Sequence, residues 1–324
     1  MKLWQRAASV VVMLAASIQG TAGAQTFPSK PIHIIVPFSA GSGGDILARM
    51  LGPKFTAAWG QPVIVENHEG AGGAIGAEIV AKASPDGYTL LLAATSWAAA
   101  PSLYDKLPYD PLRDFAAVGR ICFIPSVLVV GPSLHVSNVK DLIRLARAKP
   151  GQLDYASSGK GTSSFLSMEL LKAMAHVDIL EVPYKATAQA LTDVIGGQVM
   201  MNMPNLASAL PQIRAGRVRA LAVTSAKRST AAPDIPTMAE SAGLPGYEAA
   251  QWQGLVAPSA TPPQIIAQIN AELNRALQEP DIREQLSKLG IELAPTTPKQ
   301  FSAAIASDVA KWGQLIRTLN LHLD

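Results

Sequence analysis

Ile32-His33-Ile34-Ile35-Val36-Pro37 runs directly into Phe38-Ser39-Ala40-Gly41-Ser42-Gly43-Gly44-Asp45, and much later Leu153-Asp154-Tyr155-Ala156 runs into Ser157-Ser158-Gly159-Lys160-Gly161-Thr162-Ser163-Ser164. Each is a short strand-like run, then a loop of glycines and hydroxyls, then apolar positions at helical spacing. After the first loop, Ile46/Leu47, Met50/Leu51, Phe55 and Trp59 recur at that spacing, and Gly60 supplies the stop. Outward from these two units the chain keeps alternating. Strands are predicted over 62–66, 88–93, 179–182, 198–203 and 218–225, and helices over 75–83, 139–148, 164–175 and 187–195. The tail carries helical patterns over 262–277, 281–289 and 298–319. Strands separated by helices of this length predict an α/β fold, with parallel sheets covered by helices on both faces.

Two segments interrupt the alternation and read as crossings between lobes. One is 118–131, extended and apolar around Pro125, and the other is 233–258, rich in proline and glycine. If the chain crosses at both, one lobe comprises 25–122 plus 253–324 and the other 123–252, with a hinged ligand cleft between two α/β lobes.

The first residues read as an address rather than as part of the fold. Lys2 and Arg6 precede an apolar stretch over 7–18, and Ala22-Gly23-Ala24 has the small-x-small pattern that signal peptidase reads. The expectation is a signal peptide over 1–24, cleaved after Ala24, and a periplasmic protein. An N-terminal anchor that stays attached is the alternative. Without Lys2 and Arg6, 25 basic side chains face 24 acidic ones, a balance that gives no footprint for nucleic acid or an acidic membrane surface. Cys122 is the single cysteine and lies in an apolar run, so it reads as a small buried hydrophobe rather than a nucleophile.

Both quoted loops offer close backbone approach, hydroxyl donors and free N–H groups at a helix start. That combination holds an anion without a cationic side chain. Loops at the carboxyl ends of parallel strands are also where open α/β sheets bind ligands. Two ordinary tight turns before helices are the plainer reading. Competing motifs fail on spacing. Gly159-Lys160-Gly161-Thr162 does not have the lysine directly before the hydroxyl as a phosphate-binding Walker loop requires. Gly70-Ala71-Gly72-Gly73-Ala74-Ile75-Gly76 follows a strand and precedes a helix, but the next strand ends in Thr95-Ser96 with no acidic residue for a ribose. His33, His68, His135, His176 and His322 are scattered, and no GxSxG elbow occurs. No cofactor or metal is expected. A secreted hydrolase acting on a small carboxylate or ester stays as the enzymatic alternative.

At this point a family resemblance is carried by named residues. Pro28-Ser29-Lys30-Pro31-Ile32, Ile35-Val36-Pro37-Phe38 and Gly41…Asp45 resemble the start of the tripartite tricarboxylate transporter substrate-binding (Bug) family. So do Val65-Glu66-Asn67, Gly70 to Gly76, Pro85-Asp86-Gly87-Tyr88-Thr89-Leu90, Leu107-Pro108-Tyr109-Asp110-Pro111, Val182-Pro183-Tyr184-Lys185 and Pro233-Asp234-Ile235-Pro236-Thr237. The resemblance implies a type II periplasmic-binding-protein fold and a non-enzymatic role, capturing a small mono- or dicarboxylate for membrane transporter subunits. A monomer is expected, and a ligand-presenting partner of a sensor kinase is a further alternative. The ligand-binding positions it implies are Phe38, Ser39, Gly41 and Asp45 on one lobe and Ser158, Gly159, Gly161 and Thr162 on the other. Thr95, Ser96 and Asn205 line the expected cleft. The chain departs from the family at Phe165, Pro204 and Ala186. Phe165 and Pro204 either give an apolar pocket suited to an aromatic acid or repack a helix start, and both readings stand on sequence.

Overall fold

The computed structural model describes residues 27–184 and 187–321; the expected signal peptide lies outside them. In chain order the elements are β1 (Ile32–Val36), α1 (Gly43–Trp59), β2 (Val63–Asn67), α2 (Ala74–Ala81), β3 (Thr89–Ala94), α3 (Thr95–Ala99), β4 (Phe115–Ile124) and β5 (Val127–Val130). Then come α4 (Val139–Ala148), β6 (Asp154–Ser157), α5 (Ser163–Ala175), β7 (Leu180–Pro183), α6 (Thr187–Ile195), β8 (Met201–Asn202), α7 (Leu206–Arg214) and β9 (Arg219–Val223). The rest is α8 (Met238–Ala242), β10 (Gln251–Pro258), α9 (Pro263–Ala276), α10 (Pro280–Lys288), β11 (Glu292–Leu293) and α11 (Pro298–Thr318).

The strands form two sheets, ordered β11-β4-β10-β3-β1-β2 and β7-β6-β8-β5-β9. β1 shows why the first sheet is covered on both faces. Its alternate residues Ile32, Ile34 and Val36 join a core with α1, α9 and α10, while Ile35 joins a second core with α2 and α11. The second sheet likewise packs α4 and α5 on one face and α6 and α7 on the other.

The sheets are mixed, which corrects the expectation of parallel ones. β1 is parallel to β2 and β3, and β6 to β7 and β8, but β10 runs antiparallel to both β3 and β4, and β5 antiparallel to β8 and β9. β11, also antiparallel to β4, follows α10, while the two reversed strands β5 and β10 are those that enter a sheet from the other one. Such a strand arrives from the cleft side and runs back against its neighbours. β4 leaves the first sheet at Ile124, and Pro125-Ser126 leads into β5 of the second. There the Ser126 N–H donates to Thr224 Oγ1 (3.0 Å), and the Thr224 N–H to the Ser126 carbonyl (2.9 Å). β10 brings the chain back into the middle of the first sheet, where packing is so close that a Cβ on Gly254 would lie 2.4 Å from the Phe301 ring.

The last helix serves both cores. Phe301 and Ile305 pack on the first sheet, with the Phe301 ring edge-on to Trp252 at 5.1 Å, while Trp312, Leu315 and Ile316 sit in the core of the second sheet beside Met168 and Leu171. No helix among the described residues is long and apolar enough to cross a membrane.

Candidate functional site

The β1–α1 loop is held from behind. Asp45 is 4% exposed; its carboxylate accepts the Gly41 N–H (2.9 Å) and Arg49 Nε (2.9 Å). Arg49 also donates to Asn67 Oδ1, whose own amide N donates to the Phe38 carbonyl (3.0 Å). The Arg49 hydrogen bond first, and then the Gly41 N–H, hold the Asp45 carboxyl below its ordinary range. Ser42 caps the helix: its Oγ accepts the Asp45 N–H and its carbonyl the Ile46 N–H, which leaves the Gly43 and Gly44 amides at the open end of the first turn. Phe38 and Leu92 come so near Gly44 that a Cβ there would lie 3.1 and 2.8 Å from them. Glycine is what lets the Phe38 ring stand beside the helix start.

The β6–α5 loop is braced by its own hydroxyls. Ser157 donates to Glu181 Oε1 and accepts the Gly159 N–H (2.9 Å), and the Ser158 N–H donates to Ser164 Oγ (3.1 Å). Thr162 Oγ1 donates to the Gly159 carbonyl (2.6 Å), so that hydroxyl fixes the loop. Thr162 is the N-cap residue of α5, but its side chain makes no capping bond.

These two helix starts face a common cleft of about 220 Å³. Phe38, Ser42, Gly43 and Gly44 line it from one side and Gly161, Thr162, Ser163 and Leu166 from the other, with Thr95, Ser96, Gln251 and Gln253 between. Thr95 Oγ1 accepts the Trp252 N–H (2.9 Å), tying α3 to β10. No charged side chain is in this lining, and Lys160 is exposed.

Of the positions expected from sequence, Phe38, Thr95, Ser96, Gly161 and Thr162 come together on the cleft wall. Ser39 and Gly41 are exposed residues of the first loop, and Asp45 sits behind it, turned to Gly41 and Arg49. Ser158 and Gly159 form the half-buried turn of the second loop. Asn205 is exposed at the start of α7, and its Oδ1 accepts Gln251 Nε2 (3.0 Å). Phe165, 3% exposed, belongs to the core of the second sheet and takes no part in the lining, as the helix-repacking reading has it. Sequence reasoning missed Gln251 and Gln253. Their signal was present, as two polar residues at i and i+2 in an otherwise apolar strand.

Cys122 is fully buried, and burial pushes its thiol up to about 12, far from a nucleophile's range. His33 and His68 both sit against Glu66, away from the cleft lining. No cluster of His, Cys, Asp or Glu among the described residues could hold a metal ion.

With this geometry in place, known proteins supply the frame. The family described as the tripartite tricarboxylate transporter family receptor matches residues 47–321. Protein BugT of Bordetella pertussis is 37% identical over 315 residues, covering 97% of this chain and 96% of that protein. A solved R. palustris protein with adipate is similar at a TM-score of 0.74 and 35% identity, covering 92% of this chain and 100% of that one. MatC from Rhodopseudomonas palustris with bound malate is similar at 0.70 and 32%, covering 90% and 100%. Matched from the first helix to the last, and similar nearly end to end to BugT, the chain belongs to the tripartite tricarboxylate transporter receptors, the Bug-type periplasmic solute-binding proteins.

Proposed function

We propose that this protein captures a small organic carboxylate between its two lobes, here taken as 25–122 plus 253–324 and 123–252, and presents it to the membrane subunits of its transporter. The observation that carries the reading is a cleft made by two facing helix starts with no charged side chain in its lining. A carboxylate is held there by the amide groups of Gly43, Gly44 and the first turn of α5, with Ser42, Thr95, Ser96 and Ser163 as hydroxyl donors and Phe38 and Leu166 against its carbon chain. Ser39, Gly41, Ser158, Gly159, Thr162 and Asn205 shape the walls. The protein works as a monomer in the periplasm after removal of residues 1–24. It leaves its ligand chemically unchanged, because the lining supplies no general base and Ser157, whose hydroxyl donates to Glu181, is fully buried outside that lining.

Native mass spectrometry of the freshly purified protein, followed by calorimetry with the acid it carries and with that acid's methyl ester, tests this. The acid is expected back intact and the ester to bind at least about tenfold more weakly. Conversion of an ester to its acid would overturn the reading in favour of a hydrolase.

A further inference from the structure

The two glutamines of β10 differ in what they already hold. Both face the cleft, being two residues apart in a strand, while Trp252 turns the other way, toward Phe301 and Asp308. The Gln251 Nε2 is spent on Ser163 Oγ (2.7 Å) and Asn205 Oδ1 (3.0 Å), both on the second lobe's side of the cleft. Gln253 is 9% exposed, its Oε1 is buried without a hydrogen-bond partner, and its amide makes no side-chain hydrogen bond to another described residue. A buried oxygen with no donor is costly to keep, so such a group in a binding cleft points to what the ligand must supply.

A carboxylate supplies acceptors only. It can answer the NH2 of Gln253 and leaves the oxygen orphaned. A hydroxyl or a carboxamide brings a donor and an acceptor together and answers both ends. Exchanging N and O by turning the side-chain amide over leaves the requirement the same, since one donor and one acceptor still need partners. The cleft is small enough for one molecule to reach both sites: its 220 Å³ corresponds to about seven waters at about 30 Å³ each.

We propose that Gln253 reads the end of the ligand remote from the carboxylate held at the helix starts. On this view the cleft selects carboxylates that carry a hydroxyl or carboxamide over the plain acid of the same length. This rests on the carboxylate reading above and narrows it to a substrate class.

Calorimetry on the full mature protein, freed of endogenous ligand by unfolding and refolding, tests it with matched sets: butyrate with 3-hydroxybutyrate, succinate with malate and succinamate, and adipate with adipamate. In each set that binds, the hydroxyl- or amide-bearing member is expected to bind at least about tenfold more tightly. In Gln253→Leu, and in Gln253→Met as a closer match in shape, that preference should shrink to within about threefold. A plain acid that binds the unaltered protein as tightly as its partner, or a preference that survives both substitutions, would overturn the proposal and leave the carboxylate reading standing. If no member of any set binds, the carboxylate reading itself falls and takes this inference with it.

Discussion

Lys160 is the one cation within the two glycine loops, and on sequence it invites the part of counter-charge. Its side chain is exposed and absent from the cleft lining, so Lys160→Ala is expected to change affinity for the bound acid by less than about twofold. Thr162 gives the contrast. Its hydroxyl is bonded to the Gly159 carbonyl, so it acts on the ligand through the shape of the loop. Thr162→Ala is expected to cost about 1 kcal/mol of stability together with a weaker ligand, and Thr162→Ser to restore both. Thermal melts beside calorimetry check this, and full affinity in Thr162→Ala with a lowered melting temperature would separate the two effects and refute the coupling. Gly44 is closely packed in the first turn of α1. Gly44→Ala drives a methyl against Leu92 and Phe38 and is expected to destabilise by about 1–3 kcal/mol while pushing the Phe38 ring out of the cleft wall.

At the scale of an element, the β1–α1 unit shows a buried carboxylate used as a brace. Asp45 binds the loop N–H of Gly41, and its loss as Asp45→Ala is expected to cost about 1.5–3 kcal/mol, most of it from the Gly41 bond, since the half-exposed Arg49 partner is screened by water. The pH dependence follows from the direction of the shift. The folded carboxyl is held below the ordinary 3.8 of a free aspartate, so the stabilisation is fully present above that value and is lost as pH falls through the lower folded one. Urea melts at pH 7 and pH 3 should show the wild-type protein losing part of this increment and Asp45→Asn lacking it; an equal acid loss in both would remove Asp45 from the account. The elements that sequence missed have local causes. α7 carries Pro211 in its interior, which breaks the helical signal, yet Leu206 and Ala209 bury one face of it against the second sheet. β8 is shorter than the run over 198–203, being Met201–Asn202, although the flanking Met200 and Pro204 carbonyls still accept the Gly131 and Val127 N–H groups.

Over the whole molecule, α11 is the element that the two cores share. Trp312 is 2% exposed among residues of the second core, and Trp312→Ala is expected to destabilise by about 3–5 kcal/mol in chemical denaturation. The same helix is tied to the returning chain by Lys311 Nζ on the Glu248 carbonyl (3.0 Å) and by Trp252 Nε1 on Asp308. A ligand touching both helix starts favours the arrangement that brings them together, so small-angle scattering should report a smaller radius of gyration at saturation. An unchanged profile would mean a cleft already set before the ligand arrives.

The alternation of strands and helices and the pair of glycine and hydroxyl loops were legible in the sequence, because apolar period and capping residues are local properties of the chain. The Gly60 stop and the helix over 139–148 were both legible this way. Strand direction was not, since β10 runs antiparallel only because of where the chain re-enters the sheet. Nor was the division of labour among similar residues. Asp45 against Ser42, Thr162 against Ser163, and Gln251 against Gln253 look alike in type and spacing. Only the tertiary packing decides which hydrogen-bonding groups are spent inside the protein and which stay free for a ligand, since that depends on neighbours far away along the chain.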